Sequence, residues 1–134
     1  MLLERVKNYM SSDIKEAQLL LKKANNDLIA MRHLTEKDVP DEIFGFHAQQ
    51  AVEKSLKAWI AFLGIEYPFS HDLETLYNIL NAIDPNVFAF QKLIMFTPFS
   101  VALRYSDFGY DEVLDRDAVM VDVAELIKYV EKKL

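Results

Sequence analysis

Residues 41–64 read DEIFGFHAQQAVEKSLKAWIAFLG, and this stretch decides the fold. Phe44, Ala48, Ala51, Val52, Ser55, Leu56, Trp59, Phe62 and Leu63 fall in one stripe when successive residues turn by about 100°. The stretch therefore predicts an amphipathic helix over Asp41–Leu63. Gly64 stands where a helix C-cap is expected, and Pro68 enforces the break.

Working outward, the segment before it carries Ile14, Ala17, Leu20, Leu21, Ala24, Leu28 and Met31 at helical spacing. This predicts a helix from Ile14 to Leu34, with Asp13 as N-cap and Glu16 completing a capping box. Downstream, Ser70 is the expected N-cap of a third helix, with Asp72 and Glu74 in its first turn. Leu73, Leu76, Tyr77 and Leu80 give that helix a short apolar face. Asp84-Pro85 reads as N-cap and first residue of a fourth helix. That helix is very apolar (Val87, Phe88, Phe90, Leu93, Ile94, Met95, Phe96), and Thr97-Pro98 is expected to kink or restart it. The segment ends near Tyr105, and Ser106 to Asp111 reads as a polar loop. A last helix over Asp115–Lys133 is expected to face inward with Ala118, Val121, Ala124, Ile127 and Val130. Phenylalanines on more than one face of the fourth helix imply a homodimer interface or a very central helix.

Bulk composition agrees. The chain has 134 residues, 51% hydrophobic and 27% charged, which suits a single globular domain over residues 1–134. Only 3 glycines and 4 prolines leave little punctuation for many short strands. The expected fold is all-α: an up-and-down antiparallel bundle of about five helices with short connections. With 15 basic and 21 acidic side chains the net charge is −6, so the chain as a whole has no general pull on a phosphate backbone. Any nucleic-acid contact must come from a local basic patch. The absence of cysteine excludes disulfides and thiolate catalysis and fits a reducing cytoplasm. No signal peptide or membrane span is expected. The three histidines are far apart in sequence, so neither a metal site nor a cofactor is expected.

On the second helix His47, Gln50, Lys54 and Lys57 form a polar ridge beside the apolar stripe. It reads either as a groove for an anionic ligand or as a solvated face with a Glu53–Lys57 salt bridge. Ala51 and Ala58 lie nearby and would let another helix approach closely. His71, at a helix start, reads as a structural group.

Four motifs carry a resemblance: Ala24-Asn25-Asn26-Asp27-Leu28; Phe46 to Ala58, FHAQQAVEKSLKA; Ser70-His71-Asp72-Leu73 with Leu76; and Arg104-Tyr105. In this order they resemble the HEPN family of helical nucleotide-binding and ribonuclease-like domains. The resemblance implies a helical bundle that dimerises and, in many members, works beside a minimal nucleotidyltransferase as half of a toxin–antitoxin-like pair. Active members are metal-independent ribonucleases with Arg, four to six residues, then His. Here Arg104 is followed by Tyr105-Ser106-Asp107-Phe108-Gly109-Tyr110-Asp111, with no histidine in the window and Tyr110 where one could stand.

Three readings follow. The first is a dimeric binding module for a nucleotide or RNA phosphate, with Arg104, Tyr105, Tyr110, Lys54, His47 and Gln50 as ligand-binding residues. In its context, a partner nucleotidyltransferase could modify Tyr105 or Tyr110. The second is a ribonuclease using Arg104 with Tyr110 or His47. The third is a scaffold in which Arg104 only pairs with Asp107, Asp111 and Glu112.

Overall fold

The computed structural model describes residues 2–100 and 114–134, with side chains from residue 13 onward. It holds five helical elements: α1 (Leu2–Arg32), α2 (Asp41–Phe62), α3 (Leu73–Asn81), a 3-10 segment (Pro85–Ser100) and α4 (Arg116–Glu131). The all-α expectation is met.

Helix α2 is the hub, because α1, α3, the 3-10 segment and α4 all pack against it. Phe44, Ala48, Ala51, Val52, Leu56, Ala58, Trp59 and Ile60 are buried along it. Its end is a Schellman motif. Gly64 adopts φ +74°, its N–H donates to the Ala61 carbonyl, and Ile65 N–H donates to the Ile60 carbonyl. Only glycine takes that backbone conformation without strain.

Four expectations need correction. Helix α1 begins at Leu2, so Asp13 lies inside it and is not an N-cap. No proline or glycine precedes Asp13 to stop the helix there. In α3 the N-cap is Asp72, not Ser70. Asp72 accepts from Glu74 N–H at 3.0 Å, while Ser70 Oγ accepts from Asp72 N–H at 3.1 Å and shapes the approach.

The fourth helix is a 3-10 helix that runs through Pro98 to Ser100. Val87, Leu93, Phe96 and Phe99 are buried and Phe90 packs against the core. Those five residues repeat at strict threes, and three per turn is the 3-10 period. Phe88 remains 66% exposed and Met95 44% exposed, so the segment is not a central helix. Finally, α4 buries Ile127 and Val130 as expected, but Val123 and Leu126 join them while Ala118 and Val121 are exposed. Its inward stripe is rotated from the expected one.

Side chains tie the ends together. Arg116 donates to the carbonyls of Leu34, Glu36 and Val39, pairs with Asp41 at 2.9 Å, and lies over the Phe44 ring. It thereby fastens the α1–α2 connection to the start of α4. The buried Trp59 donates to Asp84 at 3.2 Å, and Lys133 lies over the Trp59 and Tyr129 rings.

The 3-10 segment reaches α2 at Gly45. A Cβ there would lie 2.2 Å from Cδ1 of the Phe99 ring, and Phe99 is fully buried. Gly45→Ala is therefore expected to destabilise the protein by about 1–3 kcal/mol through overpacking, despite the better helix propensity of alanine. Urea denaturation of both proteins checks this; equal midpoints would show that the segment yields.

Candidate functional site

The polar ridge of α2 becomes a network once the neighbouring elements are in place. Helix α1 contributes Asp27, which sits on the inward arc of that helix between Ala24 and Met31 and is 8% exposed. Its carboxylate takes two partners from α2: His47 Nδ1 at 2.9 Å and Lys54 Nζ at 2.6 Å. The second carboxylate is Glu53, 5% exposed. Glu53 accepts from Gln49 at 3.0 Å, His71 Nδ1 at 2.8 Å and Lys57 Nζ at 3.1 Å. Gln49 also donates to the His71 carbonyl, and Gln50 donates to Gln49. The ridge residues Gln50 and Lys57 lie between the two carboxylate centres around the helix, as 100° per residue requires.

A nearly buried carboxylate persists as an anion only when hydrogen bonds and cations replace its lost water. At Glu53 burial pushes the carboxyl pKa up, but the bonds from Gln49, His71 and Lys57 outweigh it. The net result is a pKa below the ordinary glutamate value.

The two imidazoles share one chemistry. An ionised carboxylate only accepts, so each Nδ1 carries the hydrogen and each neutral ring leaves Nε2 as its acceptor. The His71 side chain is 73% exposed and that of His47 29%. Either ring can accept a proton at Nε2 or, once protonated, donate to an anionic oxygen. Among the described residues no group of three or more His, Asp or Glu side chains is arranged to hold a metal ion.

The structure thus gathers His47, Gln50 and Lys54 on one helix face. Arg104, Tyr105 and Tyr110 lie outside the described residues. Sequence reasoning missed Asp27, Gln49 and His71 as members of the site, and saw Glu53 only as the salt-bridge partner of Lys57. The available signal for Asp27 was an acid at a core-facing register of α1.

Glu53 carries a pH-dependent share of stability. Its folded pKa is depressed, so that share is complete above the ordinary glutamate range and is lost as pH falls through the lowered value. Glu53→Gln is expected to cost about 1–3 kcal/mol near neutral pH, with the gap to wild type closing in acid. Urea titrations from about pH 7 down to about pH 3 read this directly, and a gap that stays constant across that range would contradict it.

Among the described residues no helix is long and apolar enough to cross a membrane. A search of curated proteins found no match. Comparison with family sequence models matches residues 17–133 to the HEPN domain, a span that runs from α1 to the end of α4 and includes every residue of the network above. The chain belongs to the HEPN-domain family.

Proposed function

We propose that the polar face of α2 binds the phosphate groups of a nucleotide or RNA. The observation that carries this reading is the collection of Lys54, Lys57, His47 and His71 on one face of an otherwise acidic protein. Asp27 and Glu53 balance the two lysines, so the face is not repulsive to anions. An imidazole in its charged form carries a positive charge and a second N–H donor. Gln50 supplies a neutral amide on the same ridge. Arg104, Tyr105 and Tyr110 join as further ligand groups in this proposal, Arg104 as the planar fork suited to phosphate. Family membership supports the same reading, since HEPN domains are often ribonuclease or nucleotide-binding modules. By the same analogy the protein works as a homodimer with a minimal nucleotidyltransferase partner in a toxin–antitoxin-like pair in the cytoplasm.

A second reading is favoured by one observation. The Asp27–His47 pair holds an imidazole in a fixed tautomer, the arrangement used for general base catalysis. A metal-independent ribonuclease would then use Arg104 on the phosphate and His47, rather than Tyr110, for the proton. RNA incubated without metal distinguishes the two: the enzyme reading requires cleavage that disappears in both Arg104→Ala and His47→Gln.

Fluorescence anisotropy with a labelled single-stranded RNA at low salt tests the binding reading. Wild type is expected to bind, with affinity falling as salt rises. Lys54→Gln and His71→Gln are each expected to weaken binding roughly fivefold, which is what an exposed ion pair of about 1 kcal/mol is worth. Absence of binding to RNA and to ATP at low salt would remove the proposal.

A further inference from the structure

The buried part of the α2 network fixes the direction of an amide at its exposed edge. Gln49 is fully buried. Its Nε2 donates to Glu53 at 3.0 Å and to the His71 carbonyl at 3.1 Å, so both amide hydrogens are used. An ionised carboxylate and a backbone carbonyl can only accept. The Gln49 amide therefore cannot be turned over, and its Oε1 is the end that faces Gln50. Gln50 Nε2 donates to that oxygen at 2.7 Å. Turning the Gln50 amide over would set two acceptor oxygens against each other. Gln50 is partly exposed, and it is held with Oε1 as an acceptor and one N–H still to give. Among the described residues neither of these has a partner.

One turn back on the same side of α2 stands Phe46. It is partly exposed, and it belongs neither to the buried core nor to the apolar side chains packed on that core. Among the described residues its ring meets the His47 ring in a T-shaped contact, centroids 5.5 Å apart at 76°. An aromatic ring that the described core does not use, beside an amide of fixed direction, is the pairing that recognition of a nucleobase requires: a π-face to stack on and a polar edge to read. One turn beyond Gln50 is Lys54, and Lys57 follows it. Phe46, Gln50 and Lys54 thus run along α2 in the order of base, base edge and phosphate.

The direction of the Gln50 amide selects among bases. Its Oε1 requires a donor, and its remaining N–H an acceptor. The amino group of adenine is a donor flanked on both sides by ring nitrogens that accept, and a glutamine amide pairs with such an edge. Guanine and uracil carry a carbonyl oxygen where adenine and cytosine carry the amine. Cytosine has a single ring to stack and an accepting ring nitrogen on one side only. We propose that the Phe46–Gln50 end of the ridge reads adenine, with Phe46 stacking on the base and Gln50 Oε1 accepting from its amino group. This inference rests on the phosphate-binding reading of the same ridge and adds the base that those phosphates carry. A free adenine nucleotide and an adenosine within a strand present the same group, and the experiment separates them.

Titration calorimetry of the full chain at low salt compares ATP with purine riboside triphosphate, which lacks only the amino group. ATP is expected to bind at least about fivefold more tightly, the discrimination that one good amide–base pair supplies. Gln50→Met keeps the length of the side chain and removes both polar atoms, and it is expected to bind the two nucleotides alike. Phe46→Leu keeps an apolar side chain and removes the π-face. It is expected to weaken both nucleotides by about fivefold or more while leaving their ratio unchanged. Oligoadenylate and its purine-riboside counterpart repeat the comparison on a strand. A preference for the amine in either pair supports the proposal and identifies the free nucleotide or the RNA strand as its source. Equal affinities within both pairs overturn the adenine assignment and leave the phosphate-binding reading standing. A preference that persists in Gln50→Met overturns it as well, as does Phe46→Leu binding as tightly as wild type. The wild-type comparison needs no variant, so a substitution that unfolds the chain does not decide the matter. Failure of every nucleotide and strand to bind the wild type removes the phosphate-binding reading, and this inference with it.

Discussion

Every other described helix packs on α2, and that requirement shapes both core and site. A helix covered on so many sides must either be apolar all round or supply a partner for each polar group it buries. Helix α2 does the second. Its apolar arc carries Phe44, Val52, Leu56 and Trp59, while Gln49 and Glu53 are buried beside that arc. Glu53 is tolerable there because three donors surround it. One of these, His71, comes from the α2–α3 connection, so the same carboxylate that needs neutralising also fixes the approach to α3. Asp27 performs the equivalent task between α1 and α2. The network is thus a consequence of packing a polar-edged helix at the centre, and its exposed outer side is what a ligand would meet.

Helix ends are handled with equal economy of parts. Gly64 turns the chain out of α2, Asp72 caps α3, and Thr97 Oγ1 accepts from Leu73 N–H at 3.0 Å, bringing the 3-10 segment to the start of α3. Arg116 gathers three carbonyls from the α1–α2 connection that no helix could satisfy. These bonds hold the connections short, which keeps His71 over Glu53 and α1 beside α2. The geometry of the ridge therefore depends on residues far from it in sequence.

The order and type of most elements could be read from the chain because local signals agreed with one another. In α2 the stripe, the following glycine and the later proline all pointed the same way. The 3-10 segment was harder. Its apolar residues recur at threes, but Phe88, Ile94 and Met95 add a second set, and over 16 residues the periods 3.0 and 3.6 are easily confused. In α4 two apolar sets compete, Ala118–Val121–Ala124 and Val119–Val123–Leu126, and only tertiary packing selects the second. At the site, the residues projecting from α2 were visible as a ridge because i, i+3 and i+4 spacing is local. Asp27 and His71 were not, since they are 20 and 18 residues from their partners and the pairing is created by the fold.

The distribution of charge on the ridge follows from the same packing. Asp27 and Glu53 are nearly buried, so each draws its cations to the packed edge of α2, where Lys54 and Lys57 keep 23% and 11% of their side chains exposed. His71, which serves Glu53 from the α2–α3 connection, keeps 73% of its side chain exposed. Tyr67 extends the arrangement toward α1: its ring lies under Lys57 and its hydroxyl bonds Glu16. In a protein with net charge −6, the proposed anion site rests on the depth at which each sign is held and not on an excess of basic residues.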